Sequence, residues 1–318
     1  MKEVIKKIEA AQKIAIFCHV NPDWDAIWSM LWLWKILEKK GKDIFYFSPN
    51  KPSKIYDFLW DTKKITDNFD YWYYNLLIFV DLSDYSRLWK FIKWKENYFK
   101  ENEIVVFDHH EWNKKQENWL TIRDTKSTST CELIFEKTID IREKYYDEKI
   151  ATYLYLWLTT DSGNFRYDEN HERILKNALE LIKLWANKKL IIDNFINNKS
   201  IWTINFLKVL LERISQKWDV LYTYYDIDEL HKYDIDQEQA WYWLTIIQEI
   251  KWPKIIANIR KDWNKIKWSL RSKDTNVEKI AKIFNGWWHM YAAWFSIPIE
   301  KDFKTTIKKT IDKINDLI

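Results

Sequence analysis

The sequence predicts an α/β fold: a parallel sheet with helices on both faces, followed by a smaller α/β unit. Three observations carry this. Short apolar runs alternate with segments of helical period, the pattern of strand–loop–helix repeats. Three of those runs end in polar, acidic or His-bearing loops, as strands do where a parallel sheet gathers ligands at its carboxyl edge. A polar, weakly periodic stretch at 187–203 then interrupts the pattern before a second set of strands and helices begins.

Residues 13–18 (KIAIFC) read as a buried strand, followed by the loop HVNPDWD. A helix is expected from about Ala26 to Lys40, with Gly41 as its C-terminal stop. Further strands are expected at 44–48, 76–81 and 103–108, and helices near 129–138, 149–160 and 171–186. These define a first domain over 1–186, and 187–216 reads as a linker and connecting helix. The second domain, 217–318, is expected to hold a strand at 219–225 and a helix near 236–250. Strands at 254–260 and 265–271, a helix at 276–284, a Gly/Trp turn, a strand near 294–299 and a terminal helix complete it.

The 318 residues suit two domains of ordinary size, and 47% hydrophobic with 31% charged residues excludes general disorder. A net charge of +4 with interspersed signs reads as a solvated surface rather than a dedicated polyanion face. Cys18 and Cys131, both in apolar contexts, point to reduced thiols and a cytoplasmic setting. The first residues read as a charged amphipathic helix rather than a signal peptide, and no apolar run is long enough to span a membrane. One feature of the composition is abnormal: 22 Trp stand beside 3 Gly. An average chain of this length carries roughly 22 Gly, so the two counts look exchanged.

The chemistry concentrates at four places, each expected to be a strand end: His19-Val20-Asn21-Pro22-Asp23-Trp24-Asp25, then Asp81 in FVDLSD, then Asp108-His109-His110, then Asp161 in TTDSG. Singly, each Asp is an ordinary cap or turn residue. Together, imidazoles and carboxylates without thiolate suit hard or borderline divalent ions such as Mn²⁺ or Mg²⁺. His171 and His231 lie in charged contexts and receive no role. Ser127 to Thr130 (STST) reads as a helix N-cap.

The ordered set HVNPDWD, FVDLSD, DHH and TTDSG resembles the DHH phosphoesterase family, and the later SLRS and NGWWHMYAAWF resemble that family's C-terminal substrate-binding domain, DHHA1. The resemblance covers nearly the whole chain. It implies a two-metal hydrolase using two divalent cations, Mn²⁺ first, with Mg²⁺ or Co²⁺ as alternatives. It places His19 and Asp23 on one ion, Asp25, His109 and Asp161 on the other, and Asp81 between them. It makes Asp108 the carboxylate that orients His109 and turns His110 toward the substrate phosphate. In the second domain, Arg271 and His289 become phosphate contacts, with Asn285 and Gly286 in the adjoining turn. The size and plan look most like the stand-alone oligoribonuclease type. That implies release of 5′-mononucleotides from short single-stranded RNA, with hydrolysis of 3′-phosphoadenosine 5′-phosphate to AMP as a further activity. It also allows a homodimer. The competing readings are a cyclic or linear dinucleotide phosphodiesterase and, in another class, a non-catalytic nucleotide- or RNA-binding module.

The departures from the family pattern are systematic. Trp24 stands between Asp23 and Asp25 where the family has Gly, and Trp28 and Trp32 follow at helical spacing. Trp287, Trp288 and Trp294 occupy Gly positions of the Gly-His turn, and Trp112 follows DHHE. Indoles between two ligands, or paired in a phosphate-binding turn, are expected to have no room. The expectation is therefore that UGA codons read as glycine by the source organism have been written as Trp.

Overall fold

The architecture comes from a computed structural model, which describes every residue except 72–73, 83, 94, 111–117, 166–170, 243 and 252. Trp112 thus lies outside the described residues. The chain divides into two compact units, Met1–Asn198 and Lys199–Ile318. The stretch read as a linker and connecting helix, 187–216, is shared between them. Ile191 and Phe195 join the core of the first unit. The helix Ile201–Glu212 instead buries Phe206 and Leu210 against Tyr225 and Leu230 of the second. Apolar residues on the helix, not its polar flanks, decide which unit owns it.

The first unit is built on β1 (Lys13–Phe17), β2 (Asp43–Phe47), β3 (Ile65–Thr66), β4 (Leu76–Val80), β5 (Ile104–Asp108) and β6 (Trp119–Arg123). Their order is β3-β2-β1-β4-β5-β6 and every pairing is parallel. The central strands β1, β4 and β5 are almost continuously apolar because both faces are covered. Ile14, Ile16, Ile78, Val80, Val105 and Phe107 enter a core shared with the helices Trp24–Lys39, Thr130–Lys137 and Glu148–Asp161. Their neighbours Ala15, Phe17, Leu77, Phe79, Ile104 and Val106 enter a second core that holds Phe91 and Phe99. The chain runs outward from β1 through β2 to β3, then resumes on the other side of β1 with β4. This reversal is the topological switch point where α/β sheets place their ligands. The sequence reading missed β3, which is two residues long, and the edge strand β6, whose half-buried alternation is weak.

The second unit is a mixed sheet of β7 (Ser215–Lys217), β8 (Val220–Asp226), β9 (Ile255–Asp262), β10 (Lys265–Arg271), β11 (Trp287–His289) and β12 (Ala292–Pro298). Its order is β11-β12-β10-β9-β8-β7, with β8–β9 its parallel pair. Val220, Ala257, Ile259, Ile266, Trp268, Leu270, Ala293 and Phe295 form its core with the helices Val277–Ile283 and Phe303–Asn315. Within the helix expected over 236–250, the described stretches Gln237–Tyr242 and Leu244–Ile247 are helical.

Two helix stops share one pattern. After Trp24–Lys39, the N–H of Lys42 returns to Leu37 O and that of Gly41 to Glu38 O, with Gly41 at φ +78°. After Val277–Ile283, Gly286 returns to Ala281 O and Asn285 to Lys282 O, with Asn285 at φ 58°. These are left-handed C-terminal caps, and Gly and Asn are the residues that tolerate them. Asn285, expected as a substrate contact, therefore serves first as a helix stop. Trp24 also differs from expectation. It is the first residue of its helix, and its ring packs on Tyr56 and Phe195 at 4.4 and 4.6 Å.

Gly286 is required by close approach. A Cβ there would lie 2.1 Å from Trp294 O and 2.5 Å from Phe295 Cβ, backbone and core that cannot retreat. Gly286→Ala is expected to destabilise the second unit by about 1–3 kcal/mol or more. A thermal melt unchanged by the substitution would contradict this.

Candidate metal centre

Three neighbouring strands deliver ligands to one edge of the first sheet. His19 lies just beyond β1, Asp81 directly follows β4, and Asp108 is the last residue of β5, with His109 and His110 after it. The helix that follows β1 brings two more carboxylates. Asp23 is its N-cap, accepting the Ala26 N–H at 3.2 Å, and Asp25 sits in its first turn. Asp81 takes a left-handed backbone, φ 54°, uncommon for a residue other than glycine.

Asp81 is the middle of the site. Its Oδ2 lies 3.2 Å from His19 Nε2. Its Oδ1 lies 3.4 Å from His110 Nδ1 and 3.8 Å from His109 Nε2, and accepts the Thr130 hydroxyl at 3.0 Å. Two sets of donors result: His19, Asp23 and Asp81, and Asp81, His109 and His110, the ligand atoms within each set lying within 4.8 Å of one another. Asp81 belongs to both. Nitrogen and oxygen donors without sulfur fit divalent ions of the Mn²⁺ or Mg²⁺ class. The outer partners also fit. His19 donates from Nδ1 to Val20 O at 2.8 Å, and His109 Nδ1 faces Ser127 O at 3.2 Å, so each ring turns Nε2 toward the carboxylates. Asp108 Oδ2 is buried with no hydrogen-bond partner.

Asp25 is anchored at both oxygens. Oδ2 accepts the Thr130 N–H at 2.7 Å and Oδ1 the Cys131 N–H at 2.8 Å, and Oδ2 lies 3.8 Å from His109 Nε2. It thus joins the first turn of the Thr130–Lys137 helix to the centre.

Charge balance sets the protonation. Burial and the Arg87 guanidinium push the His19 pKa down, but hydrogen bonds and charge from Asp23 and Asp81 outweigh them and raise it to about 9. Burial likewise opposes a proton on His110, yet Asp81 and Asp108 lift its pKa. Burial and the neighbouring His110 lower that of His109. Burial would raise the Asp81 pKa, but the three imidazoles hold it well below the usual carboxylate range.

Two expectations change. Asp108 does not orient His109: its Oδ1 accepts from His110 Nδ1 at 2.8 Å, because the side chain at the strand end folds over the next turn. Asp161 is not at a strand end but is the last residue of the helix Glu148–Asp161, and its side chain lies outside the described residues. Sequence reasoning missed Thr130. STST did signal the turn, but Ser129 is the cap, accepting the Glu132 N–H at 3.1 Å, and Thr130 beside it reaches Asp81. In the second unit, Arg271 is registered opposite Ala292, and Ala292 opposite His289, which puts both expected phosphate contacts on one row of the sheet.

Comparison with known proteins bears on this arrangement. Residues 13–157 match the model of the DHH family, N-terminal domain. The bifunctional oligoribonuclease and PAP phosphatase NrnA of Mycoplasma genitalium is 25% identical over 98% of this chain and 97% of its own length. The protein of the same name from Bacillus subtilis is 24% identical over 93% of this chain and 92% of its own. An exopolyphosphatase-related protein from Bacteroides fragilis superposes with a TM-score of 0.84 at 23% identity, covering 99% of this chain and 96% of its own, so the two share a fold.

Since Asp81 serves both donor sets, Asp81→Asn is expected to abolish tight binding of both ions, whereas Asp23→Asn removes one. Calorimetric Mn²⁺ titration reads this as stoichiometry. Equal stoichiometries for the two variants would contradict a shared carboxylate.

Proposed function

We propose that this chain, whose residues 13–157 match the DHH family N-terminal domain, is a phosphoesterase that hydrolyses short single-stranded oligoribonucleotides to 5′-mononucleotides. Dephosphorylation of 3′-phosphoadenosine 5′-phosphate to AMP is the second activity of the proposal. The observation that carries it is the single carboxylate, Asp81, set between two donor groups at the carboxyl edge of the sheet. The names of relatives matched over nearly the full chain support the substrate class.

His19, Asp23 and Asp81 would hold one divalent ion, and Asp81, His109, Asp25 and Asp161 the other, with Mn²⁺ as the proposed metal; His110, the third member of the second donor group, is kept in this reading for the substrate. Such ions polarise the phosphoryl group and offset the charge that builds on its oxygens in the transition state. The residues of the chain do the rest. Asp108 fixes the His110 ring through Nδ1, which leaves Nε2 as a donor for a phosphate oxygen. Arg271 and His289, on one row of the second unit's sheet, would supply cationic or donor groups for phosphate. No helix among the described residues is long and apolar enough to cross a membrane, and Cys18 and Cys131 are both buried thiols. The thiols support the proposed work in a reducing compartment.

Incubation with di- and trinucleotide RNA is expected to release 5′-mononucleotides in Mn²⁺ and to stop in EDTA. Asp81→Ala should lower kcat by at least about a hundredfold, beyond what loss of an outer-shell partner alone costs. Hydrolysis that survives EDTA or Asp81→Ala would rule out the two-ion reading. Inertness toward RNA with turnover of phosphoadenosine phosphate would rule out the first substrate alone.

A further inference from the structure

The turn from Ser127 to Cys131 touches ligands carried by three other elements. Ser127 offers its carbonyl to His109, and the N–H groups of Thr130 and Cys131 grip the two oxygens of Asp25. Thr130 adds its side chain: Oγ1 donates to Asp81 Oδ1 at 3.0 Å from a fully buried position. Asp81 must present Oδ2 to His19 and Oδ1 to His109 and His110, and the torsion that decides this is rotation of the carboxylate about its own Cβ–Cγ bond. Terminal torsions of this kind are broad and poorly held by sterics. A hydroxyl donor on Oδ1 holds the rotation and still leaves that oxygen a lone pair. Threonine suits the task because its β-branch restricts χ1, so the backbone of the helix start aims the hydroxyl.

We propose that Thr130 is a positioning residue of the metal centre, its hydroxyl fixing the Asp81 carboxylate between the two donor sets; this rests on the two-ion reading above. The test compares the full chain with Thr130→Val, which keeps the volume and loses the donor, and Thr130→Ser, which keeps the donor. Calorimetry reads Mn²⁺ affinity, and EPR reads the coupling of paired Mn²⁺ ions. The Val variant is expected to lose about tenfold or more in affinity, the scale for an outer-shell partner, together with the coupled signal. The Ser variant should retain both. In dinucleotide hydrolysis kcat should fall for Val while KM holds. Wild-type affinity and coupling in Thr130→Val would overturn the proposal. If circular dichroism shows that Val does not fold, Thr130→Ala against Thr130→Ser decides, and equal affinities overturn it. A parent chain that binds no Mn²⁺ overturns the two-ion reading and this proposal with it. A parent that binds Mn²⁺ but spares RNA overturns only the substrate.

Independently, the geometry points to glycine as the native residue at Trp185, Trp218 and Trp263. All three have left-handed backbones, φ 66°, 53° and 49°, and are 80%, 74% and 82% exposed. After the helix His171–Lys183, the N–H of Ala186 returns to Leu181 O and that of Trp185 to Ile182 O. This is the same cap that Gly41 and Asn285 close elsewhere. Trp218 is the first of two residues between the paired Lys217 and Val220, and Trp263 the first of two between the paired Asp262 and Lys265. Two-residue hairpins want glycine there. An indole at such a site costs about 1–2 kcal/mol in backbone strain and, this exposed, recovers little by burial. Peptide mass spectrometry of the protein from its own organism, with the gene read at the three codons, tests this. UGA codons and glycine masses are expected, and tryptophan masses overturn the inference.

Discussion

Everything in the first unit converges on a buried carboxylate held in a left-handed turn. Asp81 is 2% exposed, and a charge so placed is tolerated only when paired and hydrogen-bonded. Its pairing comes from His19, His109 and His110, and its hydrogen bond from Thr130. None of these neighbours lies close to Asp81 in the chain. The carboxylate is therefore stable only if β1, β4, β5 and the start of the Thr130–Lys137 helix all close at the same edge. Against the opposition of burial, the neighbouring carboxylates lift the affinity of His19 and His110 for protons.

The sheet makes that convergence cheap in conformational terms. Parallel strands buried on both faces end in register, so ligands placed just past β1, β4 and β5 meet without long loops. The switch point between β1 and β4 opens the space between them. The helix after β1 then begins at Asp23, whose carboxylate caps the helix while standing in one donor group with His19 and Asp81.

This economy explains what could be read from the sequence. Strands β1, β2, β4 and β5 were visible because burial on both faces writes continuous apolar runs. Their ligand-bearing ends were visible because His and Asp stand out directly after such runs. What depends on side-chain direction was not visible. Asp108 and His110 are two residues apart, and only the turn geometry turns that carboxylate onto His110 and leaves His109 to the Ser127 carbonyl. Thr130 sits more than a hundred residues from Asp25 in sequence but touches it, and the composition of STST cannot separate the capping Ser129 from its neighbour. Asp161 was misplaced because an acidic residue ending an apolar run looks alike on a strand and on a buried helix. The register of the second sheet, which sets Arg271 and His289 on one row, leaves no local trace in either segment.

The Trp excess separates by geometry into unlike classes. Trp119 donates its Nε1 to Tyr85 Oη at 2.9 Å, and Trp157 to Ser129 Oγ at 2.8 Å. These indoles are buried, satisfied and fit as core residues. Trp28, Trp32 and Trp268 are fully buried, yet their Nε1 atoms have no hydrogen-bond partner. Each unmade bond of that kind costs about 1–3 kcal/mol, although the rings themselves pack. Trp185, Trp218 and Trp263 gain neither packing nor a hydrogen bond worth the strain of their backbones. Composition alone treats all of these alike and suggests an aromatic surface for stacking bases. Backbone angle and the fate of the indole N–H sort them instead. The sites that reject an indole on conformational grounds are exposed turns, where little burial offsets the strain. The anomaly is thus one of chain geometry, and the centre around Asp81, built from His, Asp and Thr, does not depend on how it is resolved.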